Sequence, residues 1–185
     1  LDASYKDEIL TAKGELREQY ANKVNMLRGP YLNTEYLAFY MDSNVPEIQS
    51  ALLRKAVNLG FDRKKMMIYL RNGIGIPAYG GFIPKGLPGF NESIGFTYQP
   101  ETSKQLIEQF KAETGIKNPE ITITTTSNYL SFCEFIQREL QKSGLIVHID
   151  VIPAATLKDA KANGKLDLFR ASWVADYPDA ENYLS

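Results

Sequence analysis

Residues 120–152, EITITTTSNYLSFCEFIQRELQKSGLIVHIDVI, decide the fold class of this chain. Their pattern predicts a strand over Glu120–Thr126, a helix over Tyr129–Lys142 and a second strand over Leu145–Ile152. Strands and helices that alternate at this spacing are typical of an α/β layer built on a largely parallel sheet. The segment therefore predicts an α/β fold.

The same alternation extends outward from this segment. On its N-terminal side the pattern predicts a helix over Pro100–Thr114. On its C-terminal side it predicts a helix over Ala154–Ala162, a strand over Leu166–Trp173 and a last helix that begins at Pro178. The α/β layer is therefore expected to take up the whole C-terminal half of the chain.

Further upstream, the sequence predicts one strand and two helices. The strand covers the aromatic stretch Glu35–Met41, where alternating side chains face opposite sides. An amphipathic helix begins near Pro46 and is stopped by Gly60. Asp62 is the predicted N-cap of a short helix over Arg63–Arg71.

Residues 72–100 are rich in glycine and proline, and we predict a long surface loop there. A phosphate cradle is one interpretation of the pair Gly73 and Gly75. The dinucleotide-binding motif, however, follows a strand and opens a helix, whereas here a helix precedes and a loop follows. Loops of this length usually line a site or lie across a surface.

Charge and composition exclude several classes of function. The 185 residues include 21 basic and 22 acidic side chains, so no nucleic-acid partner is expected. A single histidine, His148, makes a metal site or a histidine-based triad unexpected, and no cofactor is expected either. The single cysteine, Cys133, falls inside a predicted helix and is interpreted as a packed thiol, not as a nucleophile.

Residues 167–179, DLFRASWVADYPD, end the last predicted strand. In open α/β sheets, ligands bind beyond the carboxyl ends of strands, which is where Trp173 and Asp176 are expected. From the residue types alone, two interpretations are equally open. Both residues belong to a binding site, or Trp173 is a core residue and Asp176 a cap or turn residue.

Five segments, in the same order, resemble the oligopeptide- and dipeptide-binding proteins of ABC importers, the extracellular solute-binding protein family 5. The last of them, Phe169–Asp179, is similar to the family's GWxADYPDP signature. The others are LRKAVNLGFDR at 53–63, GIPAYG at 75–80, Ile83-Pro84 with the Pro88-Gly89 turn, and the helix from Tyr98 to Gly115.

The resemblance implies the second lobe of a periplasmic-binding-protein-like fold of type II, with a mixed, largely parallel sheet flanked by helices. Residues 1–43 are then a stub of the first lobe that ends in a crossover strand. Residues 44–185 are the second α/β ligand-binding lobe, truncated at its C-terminal end. In this interpretation the chain is a fragment of a longer protein, and half of its binding cleft lies outside it.

The same resemblance implies a non-catalytic function. Two lobes are expected to close on a solute, an oligopeptide in the leading interpretation, and to present it to the membrane permease of an ABC importer. Because no signal peptide or membrane-spanning run occurs in these residues, the expected location, periplasmic or as a cell-surface lipoprotein, follows from the family alone. The protein is expected to be a monomer.

The ligand-binding residues implied by the resemblance are Asp176, Trp173, Arg170 and Tyr177. Asp176 matches the residue that anchors the α-ammonium group of a peptide, and Arg170 matches one that can meet a peptide carboxylate. Trp173 matches a residue that walls the pocket. A ligand-contacting histidine that some members carry after the strand at Glu120–Thr126 has no counterpart here.

Three alternatives remain open at this point. The same fold binds nickel chelates, opines, oligosaccharides or haem in other members of the family. A solute-sensing module fused to a transcription regulator would also use it. A hydrolase that employs Cys133 is a third hypothesis, from a different class of function.

Overall fold

The computed structural model describes residues 5–29 and 31–184. The helices and strands follow in chain order: α1 Lys6–Ile9, α2 Glu18–Ala21, β1 Asn33–Phe39, α3 Pro46–Gln49, α4 Ala51–Leu59, α5 Arg63–Arg71, α6 Pro100–Thr114, β2 Glu120–Thr125, a 3-10 turn Ser127–Tyr129, α7 Leu130–Lys142, β3 Ile146–Val151, α8 Ala154–Ala162, β4 Leu168–Val174 and α9 Glu181–Leu184. Among these residues, no helix is both long and apolar enough to cross a membrane.

The four strands form one mixed sheet in the order β1-β4-β2-β3. β2 lies parallel to β3 from the pair Glu120–Ile146 onwards, and parallel to β4 at Thr124–Phe169. β1 runs the other way, because its two ends bond to the opposite ends of β4: the Tyr40 N–H donates to the Asp167 carbonyl, and the Ala175 N–H to Leu32. The predicted largely parallel arrangement of the α/β layer is therefore present.

The described chain forms two compact units, each built from separated segments. The first unit combines the described residues up to Asn33 with Asp62–Gly95 and the residues from Val174 onward. The second combines Thr34–Phe61 with Phe96–Trp173. These units do not follow the predicted boundary between residues 43 and 44. That boundary concerns the lobes of a longer protein and stays a prediction.

The core of the second unit lies between helices α4, α6 and α7 and one face of the sheet. Its buried apolar side chains come from all four of these elements: Leu53, Ala56, Val57, Ile107, Phe110, Ile121, Ile123, Ile136, Leu140 and Val147. The α4 members lie on one stripe of the helix, as the amphipathic pattern predicts. One buried polar bond crosses between helices, where the Ser103 hydroxyl donates to the Ala56 carbonyl at 2.8 Å.

Several helix limits in the structure agree with those predicted from local sequence signals. The Asp62 carboxylate accepts from the Lys65 N–H at 3.0 Å, which confirms it as the N-cap of α5. α6 and α8 have the predicted limits. Residues 72–99 contain no helix or strand, which confirms the predicted loop.

Two helix starts differ from the prediction. The amphipathic segment from Pro46 is interrupted at Ser50, whose backbone is extended and whose hydroxyl caps α4 by accepting from Leu53. The last helix begins at Glu181, not at Pro178. The Asp179 carboxylate accepts from the Glu181 N–H at 2.9 Å and so caps α9 three residues later than expected.

Cys133 is buried in α7 with 1% of its surface exposed, which agrees with the predicted packed thiol. Burial raises the pKa of this thiol, because the thiolate loses its hydration there. His148 lies on the exposed face of β3, where its Nε2 is 3.2 Å from Glu120 Oε2.

We predict that Gly60→Ala destabilises the protein. A Cβ at this position would lie 2.7 Å from Ser103 Oγ and 2.9 Å from the Ala56 carbonyl oxygen, closer than packed atoms approach. Overpacking of this kind costs about 1–3 kcal/mol of unfolding free energy. Urea denaturation of the full-length protein measures it. The control is Gly29→Ala, whose Cβ would meet no atom of the described residues within 4 Å; equal midpoints for the two variants would contradict the prediction.

We also predict that Cys133 resists alkylation in the folded protein. With its pKa raised, the thiol carries less of the reactive thiolate at a given pH than an ordinary cysteine, and reagents cannot reach it. Iodoacetamide labelling between pH 7 and about 8.5, the ordinary thiol pKa, should therefore be slow until denaturant is added. Fast labelling of the folded protein would show a reactive thiol and support the hydrolase hypothesis.

Candidate functional site

The four residues expected to bind ligand lie in β4 and in the turn that follows it. Arg170 and Trp173 are part of the strand, whereas Asp176 and Tyr177 lie in the turn that leads to α9. Arg170 and Trp173 belong to the second unit, and Asp176 and Tyr177 belong to the first unit. Each pair is therefore described within its own unit.

Arg170 is held by two residues from other elements of its unit. Its guanidinium Cζ lies 3.1 Å from the centroid of the Tyr129 ring, and its Nη2 lies 3.3 Å from Glu35 Oε1. Tyr129 comes from the turn after β2, and Glu35 from the middle of β1. A guanidinium stacked on an aromatic ring keeps its in-plane N–H groups available for acceptors at its edge.

Those N–H groups are not fully used by the described residues. The Arg170 side chain is only 14% exposed, yet its Nε and Nη2 atoms are buried without a hydrogen-bond partner in the described part of the chain. The contact to Glu35 is an ion pair that lacks the alignment of a hydrogen bond. Buried donors without acceptors are rare and costly in folded proteins. An acceptor at the edge of Arg170, such as a ligand carboxylate, would remove that cost.

Trp173 is exposed over 42% of its surface, at the end of β4. The interpretation of Trp173 as a core residue is therefore not supported. Tyr177 is also largely exposed, in the following turn. These exposed aromatic rings are surfaces on which the apolar parts of a ligand can pack.

Asp176 is an exposed carboxylate that makes no hydrogen bond or ion pair with the described residues. Its backbone N–H donates to the Asn182 side chain at 3.1 Å, which fixes the turn. Since Asp179 caps α9, the interpretation of Asp176 as a helix cap is not supported. The carboxylate remains available to a cation.

α9 holds this turn within the first unit. Tyr183 is buried, its hydroxyl donates to the Leu32 carbonyl, and its ring meets Phe82 edge to face with centroids 5.7 Å apart. Burial raises the pKa of the Tyr183 hydroxyl, so it remains a donor at neutral pH. The N–H of Ala175 also donates to Leu32, which anchors the other end of the turn.

The sequence analysis did not identify Glu35, Tyr129 or Tyr183. Tyr129 directly follows a strand that belongs to the predicted sheet, so its position at the carboxyl edge was a usable signal. Glu35 and Tyr183 gave no comparable signal, because their partners are distant in the chain. Within residues 5–29 and 31–184, no group of three or more His, Cys, Asp or Glu side chains could hold a metal ion.

The family model of the bacterial extracellular solute-binding proteins, family 5 Middle, matches residues 7–185 of this chain. The probable D,D-dipeptide-binding periplasmic protein DdpA of Escherichia coli is 26% identical over 187 residues, which cover 100% of this chain and 34% of that protein. Heme-binding protein A of Haemophilus influenzae is 24% identical over 168 residues, covering 88% of this chain and 30% of that protein.

Among solved structures, that of the pheromone receptor PrgZ, described with its mode of peptide binding, superposes with a TM-score of 0.79. It is 23% identical and covers 92% of this chain and 36% of that one. The superposition confirms the predicted periplasmic-binding-protein fold. The chain spans about a third of the length of the curated relatives it matches. Since the family model covers nearly the whole chain, the chain belongs to the bacterial extracellular solute-binding proteins of family 5.

Proposed function

We propose that the protein containing this chain captures short peptides outside the cytoplasm and delivers them to an ABC-type importer without catalysing a reaction. The observation that carries the proposal is the state of Arg170, a buried guanidinium with unused donors in β4, level with the carboxyl end of β2. The peptide-binding names of the relatives DdpA and PrgZ support the same ligand class.

A peptide offers two fixed charges, an α-ammonium group at one end and a carboxylate at the other. Arg170 is the proposed partner of the carboxylate, because guanidinium N–H groups pair with carboxylate oxygens in two parallel bonds. Tyr129 supports this role by holding the guanidinium plane. Glu35 partly balances the arginine charge while no ligand is bound.

Asp176 is the proposed partner of the ammonium group. The carboxylate has no other partner among the described residues, so it gives up no internal ion pair when a cation binds. Trp173 and Tyr177 are exposed aromatic rings, and each offers a surface on which apolar parts of a peptide can pack. Recognition that rests on the ends of the peptide leaves its side chains less restricted, which suits an importer of varied peptides.

The remaining parts of the proposal concern the whole protein. Its partner is the membrane permease of an ABC importer, and it acts as a monomer that closes on its solute. It is periplasmic or tethered to the cell surface as a lipoprotein. The periplasmic name of DdpA supports the compartment, and the tether rests on the family resemblance alone.

The first experiment is a calorimetric titration of the full-length protein with a random tripeptide mixture and with an N-acetylated copy of it. We expect binding by the free-amine mixture only, because acetylation removes the charge that pairs with Asp176. We further expect Asp176→Asn to lower the affinity for free-amine peptides about a hundredfold, since the ligand charge is left unpaired in a desolvated cleft.

The matched control is Asp179→Asn in the same turn. The asparagine oxygen still accepts from the Glu181 N–H, so α9 keeps its cap and the peptide affinity should not change. Equal binding of the two mixtures, or unaltered affinity of the Asp176→Asn variant, would contradict the role of Asp176. Absence of binding by both mixtures would indicate a non-peptide solute.

The proposed role of Arg170 is tested with one tripeptide, which is titrated with its C-terminal carboxylate free and with that carboxylate amidated. We expect amidation to weaken binding about tenfold or more, because the charge-assisted bonds to Arg170 are lost. In an Arg170→Gln variant, this difference between the two forms should disappear. If amidation weakens binding equally in both proteins, another residue binds the carboxylate.

A further inference from the structure

Glu35 contacts the edge of Arg170 that a ligand carboxylate would use. The two Arg170 nitrogens without a hydrogen-bond partner among the described residues are Nε and Nη2, whose N–H groups point to the same side of the guanidinium plane. Two parallel N–H groups on one edge match the two oxygens of a single carboxylate. Glu35 Oε1 lies 3.3 Å from Nη2, so a carboxylate of the protein itself already stands at this edge.

Tyr129 restricts how a ligand can approach the same guanidinium. The centroid of its ring lies 3.1 Å from Arg170 Cζ, so the ring covers one face of the guanidinium plane. A stacked guanidinium makes its hydrogen bonds in its own plane. A ligand carboxylate that uses both Nε and Nη2 therefore meets the side chain of Glu35 at Nη2.

The position of Glu35 follows from the pairing of β1 with β4. The Tyr40 N–H donates to the Asp167 carbonyl, and the two strands are antiparallel. This register puts Leu37 opposite Arg170, so Glu35 is a diagonal neighbour of Arg170 on the same face of the sheet. The sheet itself therefore keeps the glutamate carboxylate within reach of the arginine.

The contact between Glu35 and Arg170 supplies charge without using the buried donors. Nη2 lacks a hydrogen bond although Oε1 is within ion-pair distance, because the two groups are not aligned. Glu35 is also the more exposed partner, with 35% of its side chain accessible against 14% for Arg170. Its side chain is therefore the one that can turn away, and a ligand that forms two aligned bonds replaces one poorly aligned contact.

We propose that Glu35 is an internal competitor of the peptide carboxylate and limits how tightly the site binds it. This inference rests on the proposed function, in which Arg170 receives that carboxylate. The arriving carboxylate displaces Glu35 from Nη2, which leaves two negative charges near one guanidinium. Because like charges at such distances repel, Glu35 lowers the affinity for peptides with a free carboxylate. Peptides with a neutral C-terminal end do not experience this repulsion.

The test is calorimetric titration of the full-length parent and of Glu35→Gln with one tripeptide in its free-acid and C-terminally amidated forms. We expect the variant to bind the free acid about tenfold more tightly, because the competing charge is removed. Its affinity for the amidated form should not rise. Glu113→Gln removes an equal charge from the exposed side of α6, so this matched control should bind both forms as the parent does.

Glu35→Asp is a second variant, which keeps the charge on a side chain that is one methylene shorter. The shorter side chain withdraws the carboxylate from Nη2, so the affinity for the free acid should rise by a smaller factor than in Glu35→Gln. If neither variant binds the free acid more tightly than the parent does, Glu35 only holds Arg170 in place and the inference is wrong.

The two peptide forms separate this inference from the function on which it rests. An equal rise in affinity for both forms would also overturn the competitor role, since an effect on the carboxylate alone cannot strengthen binding of the amide. In either case the proposed peptide binding would stand. Absence of binding by the parent protein would instead contradict the proposed function, and the role of Glu35 with it.

Discussion

Hydrogen bonding of β2 to parallel strands on both of its sides is the constraint on which the second unit depends. Parallel neighbours cannot be joined by tight turns, so the chain must return through α7 and α8. All three strands then run towards the same edge of the sheet. The register, which pairs Thr124 with Phe169, places Arg170 level with the end of β2. It also explains why Tyr129, in the turn after β2, lies over Arg170, in the strand β4.

Much of this fold could be predicted because the signals are local. The proline at the start of α6 and the glycine after its end mark the limits of that helix without reference to the rest of the molecule. The interruption at Ser50 could not be predicted in the same way, because the apolar stripe continues through it. No glycine or proline stands at this position to mark the extended backbone in the sequence.

The site was predictable only in part, for the same reason. Arg170, Trp173, Asp176 and Tyr177 lie in one strand or just after it, so a single stretch of sequence indicates all four. The side chain of Glu35 reaches Arg170 from β1, a strand that lies far upstream in the chain. Ionisable residues of this kind look like ordinary surface charges in the sequence. They become unusual only through the residues that folding places around them.

The interleaving of the two units has a consequence for biosynthesis. The chain passes from one unit to the other after residues 33, 61, 95 and 173. A ribosome therefore releases the described residues of the second unit before it releases the segment that begins at Val174. During synthesis these residues can contact one another before that segment is available to the first unit. Until Tyr183 emerges, the carbonyl of Leu32 lacks its hydroxyl donor, so this contact between the two ends of the first unit forms late.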